Sequence, residues 1–327
     1  MQPITLGRSG LKVTPIAYGT WQIGGDWGPV DTAQATTAIR RARELGINLF
    51  DTAQAYGFGA AETLLGQALR DDLRQHRDEI VIATKGGVRL TADGLRRDSS
   101  PAWIREGVDA SLRALAVDYI DLYQVHWPDA QTPFEETAAA LNELTEAGKI
   151  RHIGVSNFDA GQIAAFSAVA TRPAETLQPP YHLFRRGIET EVLPHCQREN
   201  IGVLVYSPQG SGLLSGTLTP QTTFDPGDWR SRSPVFRGPD LERNLGVTSQ
   251  LQAFAEGRFG CNVSQLALAW VLSHPAIQVA IVGSRNGGHL AEAVQAASLT
   301  LTDDDRQQID KIMADAVPVG GPTPEGF

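Results

Sequence analysis

The stretch Ile47-Asn-Leu-Phe-Asp51-Thr-Ala-Gln-Ala-Tyr56 reads as a short strand that ends in polar chemistry. Ile47–Phe50 is an apolar run bounded by turn signals, which predicts a buried strand. Asp51 follows at once, with Tyr56 a short loop further on. The pattern returns twice. Ile80–Ala83 runs out at Lys85, and Tyr119–Tyr123 runs out at His126. In a (β/α)8 barrel the strand ends converge on one face, and reactive residues come from several of them. The three endings therefore predict one site built from Asp51, Tyr56, Lys85 and His126.

Outward from that stretch, strand-like runs alternate with helical ones, as βα units around a parallel sheet require. Thr5–Val13 reads as a small hairpin turning at Arg8-Ser-Gly, suited to plug the barrel bottom. Pro15–Gly19 gives the first strand, and Asp31–Leu45 a helix capped by Asp31 or Thr32. Helices Ala60–Leu69, Pro101–Leu115 and Pro133–Ala147 follow the next three strands, and Pro101 after Ser99-Ser100 marks a first turn. Strands five to eight fall at Arg151–Val155, Glu175–Leu177, Val203–Tyr206 and Gln278–Val282. Their helices lie near Ala160–Ala168, Glu189–Glu199, Val263–Ser273 and Gly288–Ala297.

Two stretches break the rhythm. Gly210–Gly260 is a Pro/Gly/Asp-rich loop with an extra helix near Leu241–Glu256, and loops of that length are functional or disordered. The tail, Val317–Phe327, reads as irregular after a helix at Asp303–Met313. The expectation is an α/β (β/α)8 TIM barrel with an N-terminal β-hairpin and a long loop after strand seven, one domain over residues 1–327.

A formal net charge of −9 and a pI near 5.3 argue against nucleic acid and anionic membrane surfaces as partners. No apolar run approaches the roughly 20 residues of a membrane span. Met1-Gln-Pro-Ile-Thr lacks the basic-then-apolar order of a signal peptide. Two cysteines, Cys196 and Cys261, fit inert thiols in a reducing compartment. A cytoplasmic protein is expected, with oligomeric state open and no metal site.

The four site residues make sense together. A tyrosine hydroxyl, with a pKa near ~10, is a poor acid at neutral pH until a neighbouring cation stabilises its anion. Lys85 can be that cation, Asp51 can hold and aim it, and His126 can hydrogen-bond the carbonyl that Tyr56 protonates. That set suits reduction of a carbonyl.

The flanking residues carry a resemblance. Phe50-Asp-Thr-Ala-Gln-Ala-Tyr-Gly, Ala61-Glu-Thr-Leu-Leu-Gly, Asp118-Tyr-Ile-Asp-Leu-Tyr-Gln-Val-His-Trp, Gly154-Val-Ser-Asn-Phe and Tyr206-Ser-Pro resemble the aldo-keto reductase family. The resemblance runs from Leu6 to the helix after Arg285. It implies a barrel that binds NADP(H) and passes hydride to an aldehyde or ketone, with tyrosine as the acid. It also implies a nicotinamide site around Gly19, Thr20, Trp21, Ser156, Asn157 and Gln178, with the Tyr206 ring stacked on the nicotinamide. Ser207, Gln209, Gly210, Ser211, Gly212 and Leu213 would wrap the pyrophosphate with backbone N–H groups. Gly283, Ser284, Arg285, His289 and Glu292 would hold the adenosine end, with Arg285 on the 2′-phosphate.

The chain departs from the family with Val282 and Gly287 where proline is common, with His289 for Gln or Arg, and with Ala293 for Asn. NADP(H) stays favoured over NAD(H). The glycines at 210, 212 and 216 lack the spacing, helix and βαβ unit of a Rossmann fingerprint.

Trp21, Trp27, Phe58, Trp127 and Trp229 supply candidate aromatic walls for a small carbonyl substrate. Arg230, Arg232 and Arg237 could meet an anionic substrate or cofactor phosphate, but read first as solvated loop arginines. Ser156-Asn157 has a second reading as a helix cap. A cofactor-binding regulatory subunit, resembling potassium-channel β subunits, is the alternative to a working reductase. A barrel isomerase or lyase using Tyr56 and Lys85 is a third.

Overall fold

The computed structural model describes residues 1–285 and 287–320. Eight parallel strands close into a barrel. In chain order they are β1 (Ile16–Gly19), β2 (Leu49–Asp51), β3 (Val81–Gly86), β4 (Ile120–Val125), β5 (Ile150–Ser156), β6 (Thr176–Gln178), β7 (Gly202–Val205) and β8 (Val279–Gly283). Each strand pairs with the next, and β8 pairs with β1. The expected (β/α)8 architecture is observed.

Side chains alternate across each strand, so the two faces of the wall carry different cores. Ala17, Leu49, Val81, Ala83, Leu122, Leu204, Val279 and Ile281 fill the barrel interior. Leu6 and Val13 of the N-terminal hairpin (Ile4–Thr5 with Lys12–Val13) join them from below, so the hairpin is a plug, as predicted. Tyr18, Phe50, Ile82 and Tyr123 face outward into a larger layer shared with the helices. Fully burying one such apolar side chain is worth about 1.5–3 kcal/mol, which fixes the strand phase. That phase turns Asp51, Lys85, Gln124 and Gln178 inward, above the apolar floor.

Helix ends follow their sequence signals. Asp31 caps Thr32–Glu44 through Ala33 and Gln34 N–H, and Pro101 opens Pro101–Leu115. The helix after β5, Ala160–Val169, is capped by Asp159 in a capping box with Gln162. Ser156 and Asn157 are therefore not its cap. The extra helix runs Gly238–Phe259, longer than the sequence implied, from Pro239 to a left-handed Gly260.

A second hairpin was not anticipated: Val88–Thr91 pairs with Gly94–Arg97 just after β3. In the tail, the Val317 and Val319 N–H groups bond Asn244 and the Phe184 carbonyl. The remainder of the expected irregular tail, residues 321–327, lies outside the described residues. Burial pushes the Cys196 thiol up to about 12 and raises that of Cys261, in keeping with inert thiols. Among the described residues no helix is long and apolar enough to cross a membrane.

Candidate active site

Asp51 closes β2, Lys85 sits near the end of β3, and His126 follows β4. Tyr56 lies in the turn after β2, where its N–H bonds the Ala53 carbonyl. The four meet at the C-terminal mouth of the barrel, all of them buried. Lys85 Nζ donates to Asp51 Oδ1 at 2.6 Å, to the Thr52 carbonyl at 2.8 Å and to the Tyr56 hydroxyl oxygen at 3.2 Å. An ammonium has three donors, so all are spent. Because Tyr56 accepts from Lys85, the ammonium lies against the phenol oxygen, where it would stabilise a tyrosinate.

Gln178 holds the other side of Asp51, its Nε2 donating to Oδ2 at 2.8 Å. The His126 ring stands edge-on to the Tyr56 ring with centroids 5.8 Å apart. Burial first, and the Lys85 charge second, hold His126 well below the usual imidazole range. It is thus neutral at physiological pH, with one ring N–H to donate.

A crevice of about 330 Å³ opens above this group. Asp51, Tyr56, His126, Ser156, Asn157, Gln178 and Tyr206 line its deep end, while Arg285 and His289 line its far end. The Ser156 hydroxyl donates to the Gln178 carbonyl, and Asn157 Nδ2 to the His126 carbonyl. The Tyr206 hydroxyl donates to Asn157 Oδ1. Gly19 is required at the mouth, since a Cβ there would meet the Ile281 side chain at 2.7 Å.

Several expectations need correction. The N–H groups of Gly210, Gly212 and Leu213 bond the carbonyls of Ser207, Gln209 and Gly210 inside their own loop. A backbone wrap by those residues is therefore not what this structure presents. The loop lines the crevice instead with Ser207, Gln209, Ser211, Gly212, Ser215 and Thr217, a row rich in hydroxyls. Thr20 and Leu213 lie beneath the surface and Gly210 is buried too; none lines the crevice. Glu292 does not line the crevice itself; it accepts from Asn262 Nδ2 at 2.9 Å and lies 3.9 Å from His289, which does.

Three of the five expected substrate walls do not line the crevice. Phe58 is 50% exposed and lines a separate groove with Leu90 and Trp103. Trp127 is buried beside His126, stacked on it at 6.3 Å, and does not line the crevice. Trp21 and Trp27 do line it. Trp229 backs both, stacked on Trp21 at 5.9 Å and edge-on to Trp27 at 5.9 Å. Local spacing cannot tell a strand-end aromatic that points into the mouth from one that packs behind it.

The sequence reading also missed residues. Gln22 lines the crevice across Gly283, with a buried Oε1 that finds no partner among the described residues. Arg230 is no solvated arginine: it pairs with Asp228 at 2.6 Å and lies over the rings of Trp27 and Phe224. Glu62, across the β3 wall from Lys85, accepts from the Thr84 hydroxyl at 2.6 Å, and burial raises its carboxyl above the usual range.

The chemistry of the donor set fits a dinucleotide. The deep end offers amides and a tyrosine ring, the middle a row of hydroxyls, and the far end a guanidinium. Arg285 donates one bond to the Trp27 carbonyl at 3.2 Å, and a guanidinium carries five donors.

The comparisons with known proteins agree. The model of the aldo/keto reductase family matches residues 15–314. The aldo-keto reductase YhdN of Bacillus subtilis is 41% identical over 98% of this chain and 96% of its own length. An NADH-specific methylglyoxal reductase of Escherichia coli is 36% identical over 93% of this chain and 96% of its own. Among solved structures, a glycerol dehydrogenase of Gluconobacter oxydans superposes with a TM-score of 0.85 at 39% identity, covering 96% of this chain and 95% of that one. The chain belongs to the aldo/keto reductase family, and its relatives include oxidoreductases.

Proposed function

We propose that this family member reduces a small aldehyde or ketone to an alcohol, using NADPH in preference to NADH, with Tyr56 as the proton donor. The observation that carries the reading is the Lys85 ammonium, 2.6 Å from Asp51 and 3.2 Å from the Tyr56 oxygen, at the floor of the crevice. A bound nicotinamide cofactor supplies the hydride. Everything else falls to the chain.

Gln178 and Asn157 would hold the carboxamide, Tyr206 would lie against the ring, and the hydroxyls of Ser207, Ser211 and Ser215 would meet the phosphates. Neutral His126 donates its N–H to the substrate oxygen and orients it. Tyr56 gives that oxygen its proton as negative charge grows there, and the tyrosinate left behind faces the Lys85 ammonium. Such positioned proton transfer is worth about 10²–10⁴ in rate. Trp21 and Trp27, backed by Trp229, wall a small substrate. Arg285 supports NADPH, because a second negative phosphate suits a guanidinium with donors to spare. The NADH-specific relative keeps the cofactor choice a matter for measurement.

The test is oxidation of NADPH, and of NADH alongside, with short aldehydes, ketones and hydroxy- or oxo-aldehydes. Tyr56→Phe is expected to lose about 10²–10⁴ in turnover with cofactor affinity kept. Arg285→Ala is expected to weaken NADPH about tenfold and leave NADH unchanged. Tight cofactor binding with no turnover on any carbonyl would overturn the reductase in favour of a cofactor-sensing role.

A further inference from the structure

Beneath the four residues lies a polar side chain that the mechanism above does not use. Gln124 is fully buried on the inner face of β4, in register with Lys85 on β3 and with Gly154 on β5. Gly154 is what makes room for it: a Cβ there would meet Gln124 Cγ at 2.9 Å and the Thr176 hydroxyl at 2.3 Å. Through that gap Gln124 Oε1 accepts from Gln178 Nε2 at 3.4 Å. The same Nε2 donates to Asp51 Oδ2 at 2.8 Å, and Asp51 holds Lys85. One line of contacts thus runs from Gln124 through Gln178, Asp51 and Lys85 to Tyr56.

The chemistry of an amide makes that line directional. A glutamine NH₂ has two hydrogens, and Asp51 Oδ2 and Gln124 Oε1 offer one acceptor for each, so the two together fix which way the Gln178 amide is turned. With one hydrogen on Asp51 and the other on Gln124, only the Gln178 oxygen is left for a ligand in the crevice that Gln178 lines. Keeping Gln124 has a cost. Its Nε2 and the Thr176 hydroxyl are buried without partners among the described residues. A buried unsatisfied polar group costs about 1–3 kcal/mol, which a leucine of similar size would avoid.

We propose that Gln124 is a positioning residue: it locks the Gln178 amide so that its nitrogen braces Asp51 while its oxygen faces the nicotinamide carboxamide. The inference rests on the reductase reading for its catalytic consequence, and on cofactor binding alone for the rest. Without the Gln124 acceptor the Gln178 amide is free to turn. The crevice then loses an oriented acceptor, and Asp51 loses the brace opposite Lys85.

The test is a double-mutant cycle between Gln124→Leu and Gln178→Met, with Gln124→Met in place of Gln124→Leu if the latter fails to fold. Two quantities are read: the NADPH Kd by fluorescence, and hydride transfer in a single turnover. In the parent background Gln124→Leu is expected to weaken NADPH about 3–10-fold and slow hydride transfer about 5–20-fold, with the thermal midpoint unchanged or raised. In the Gln178→Met background it is expected to change neither by more than about twofold, because the residue it acts through is gone.

Parental values in Gln124→Leu, or the same loss in both backgrounds, would overturn the proposal and leave Gln124 a packing residue. A parent that binds NADPH without turnover removes the reductase reading, and the binding cycle then decides this inference by itself. A parent that binds no nicotinamide nucleotide removes both.

Discussion

Asp51, Lys85 and Gln178, on the barrel wall, are 1–3% exposed and hold one another by hydrogen bonds of 2.6 and 2.8 Å. At the rim just above them, Trp21 and Trp229 stay partly exposed and meet by ring stacking at 5.9 Å. The wall residues stand on strands whose register is set by a closed ladder, so their spacing follows from the backbone. The rim joins two loops through a bridge between Trp27 and Asp228, a bond from Trp229 N–H to the Asp26 carbonyl, and the Arg230 guanidinium over the Trp27 ring. Under the proposed reduction, the contrast would place proton handling in the wall and substrate choice at the rim. Charges buried in the wall demand fixed partners, whereas aromatic faces tolerate re-packing.

Lys85→Met should have the largest effect. It leaves the Asp51 carboxylate buried with Gln178 but without its cation, which costs about 3–5 kcal/mol. Denaturant midpoints should report that loss together with the loss of turnover. A stable Lys85→Met protein would mean that the wall is less tightly coupled than its geometry implies.

At the rim, Trp229→Ala removes stacking on Trp21 and edge-on contacts with Trp27 and Phe236, none of them wall groups. The expected outcome is a rise in KM for the carbonyl of about tenfold, with single-turnover hydride transfer within about threefold. Equal damage to hydride transfer would erase the distinction between the two regions.

The smallest effect concerns their joint. His182, buried after β6 and packed near Gly210 where the long loop starts, is held down to about 3 by burial and by Arg185. An unfolded histidine titrates near 6.5, so between about 6.5 and about 3 the unfolded chain binds a proton that the folded one refuses. Stability therefore falls as pH is lowered through that window. His182→Gln should flatten the slope by up to about 1.4 kcal/mol per pH unit in urea melts taken between pH 6 and 4. Superimposable parent and variant slopes would show that His182 titrates normally in the fold.

Much of this was legible in the sequence because it is written in short-range pattern. Apolar runs of strand length marked all eight barrel strands to within a few residues, since each strand is buried on both faces. Pro101, Asp31 and the Asp303–Met313 spacing marked helices through caps and periodicity that neighbouring residues decide. The hairpin Val88–Arg97 turns at Ala92-Asp93, with Gly94 already paired to Thr91, so the Asp93-Gly94 dipeptide in the sequence does not mark the turn itself. Gln124 gave no signal of its own, since inside Tyr123-Gln-Val a polar residue looks like an interruption of the strand.

The sequence by itself determined the alternation of strands and helices and put Asp51, Tyr56, Lys85 and His126 at strand ends. Both follow from hydrophobic periodicity, which acts over a few residues. Only the tertiary structure decided that Trp229 backs the crevice while Trp127 packs beside His126 and Phe58 faces solvent. It alone set Gln124 beside Lys85 and laid Arg230 over the Trp27 ring. Those outcomes depend on barrel closure and on contacts between loops far apart in the chain, such as Arg285 with Trp27, which local patterning does not constrain.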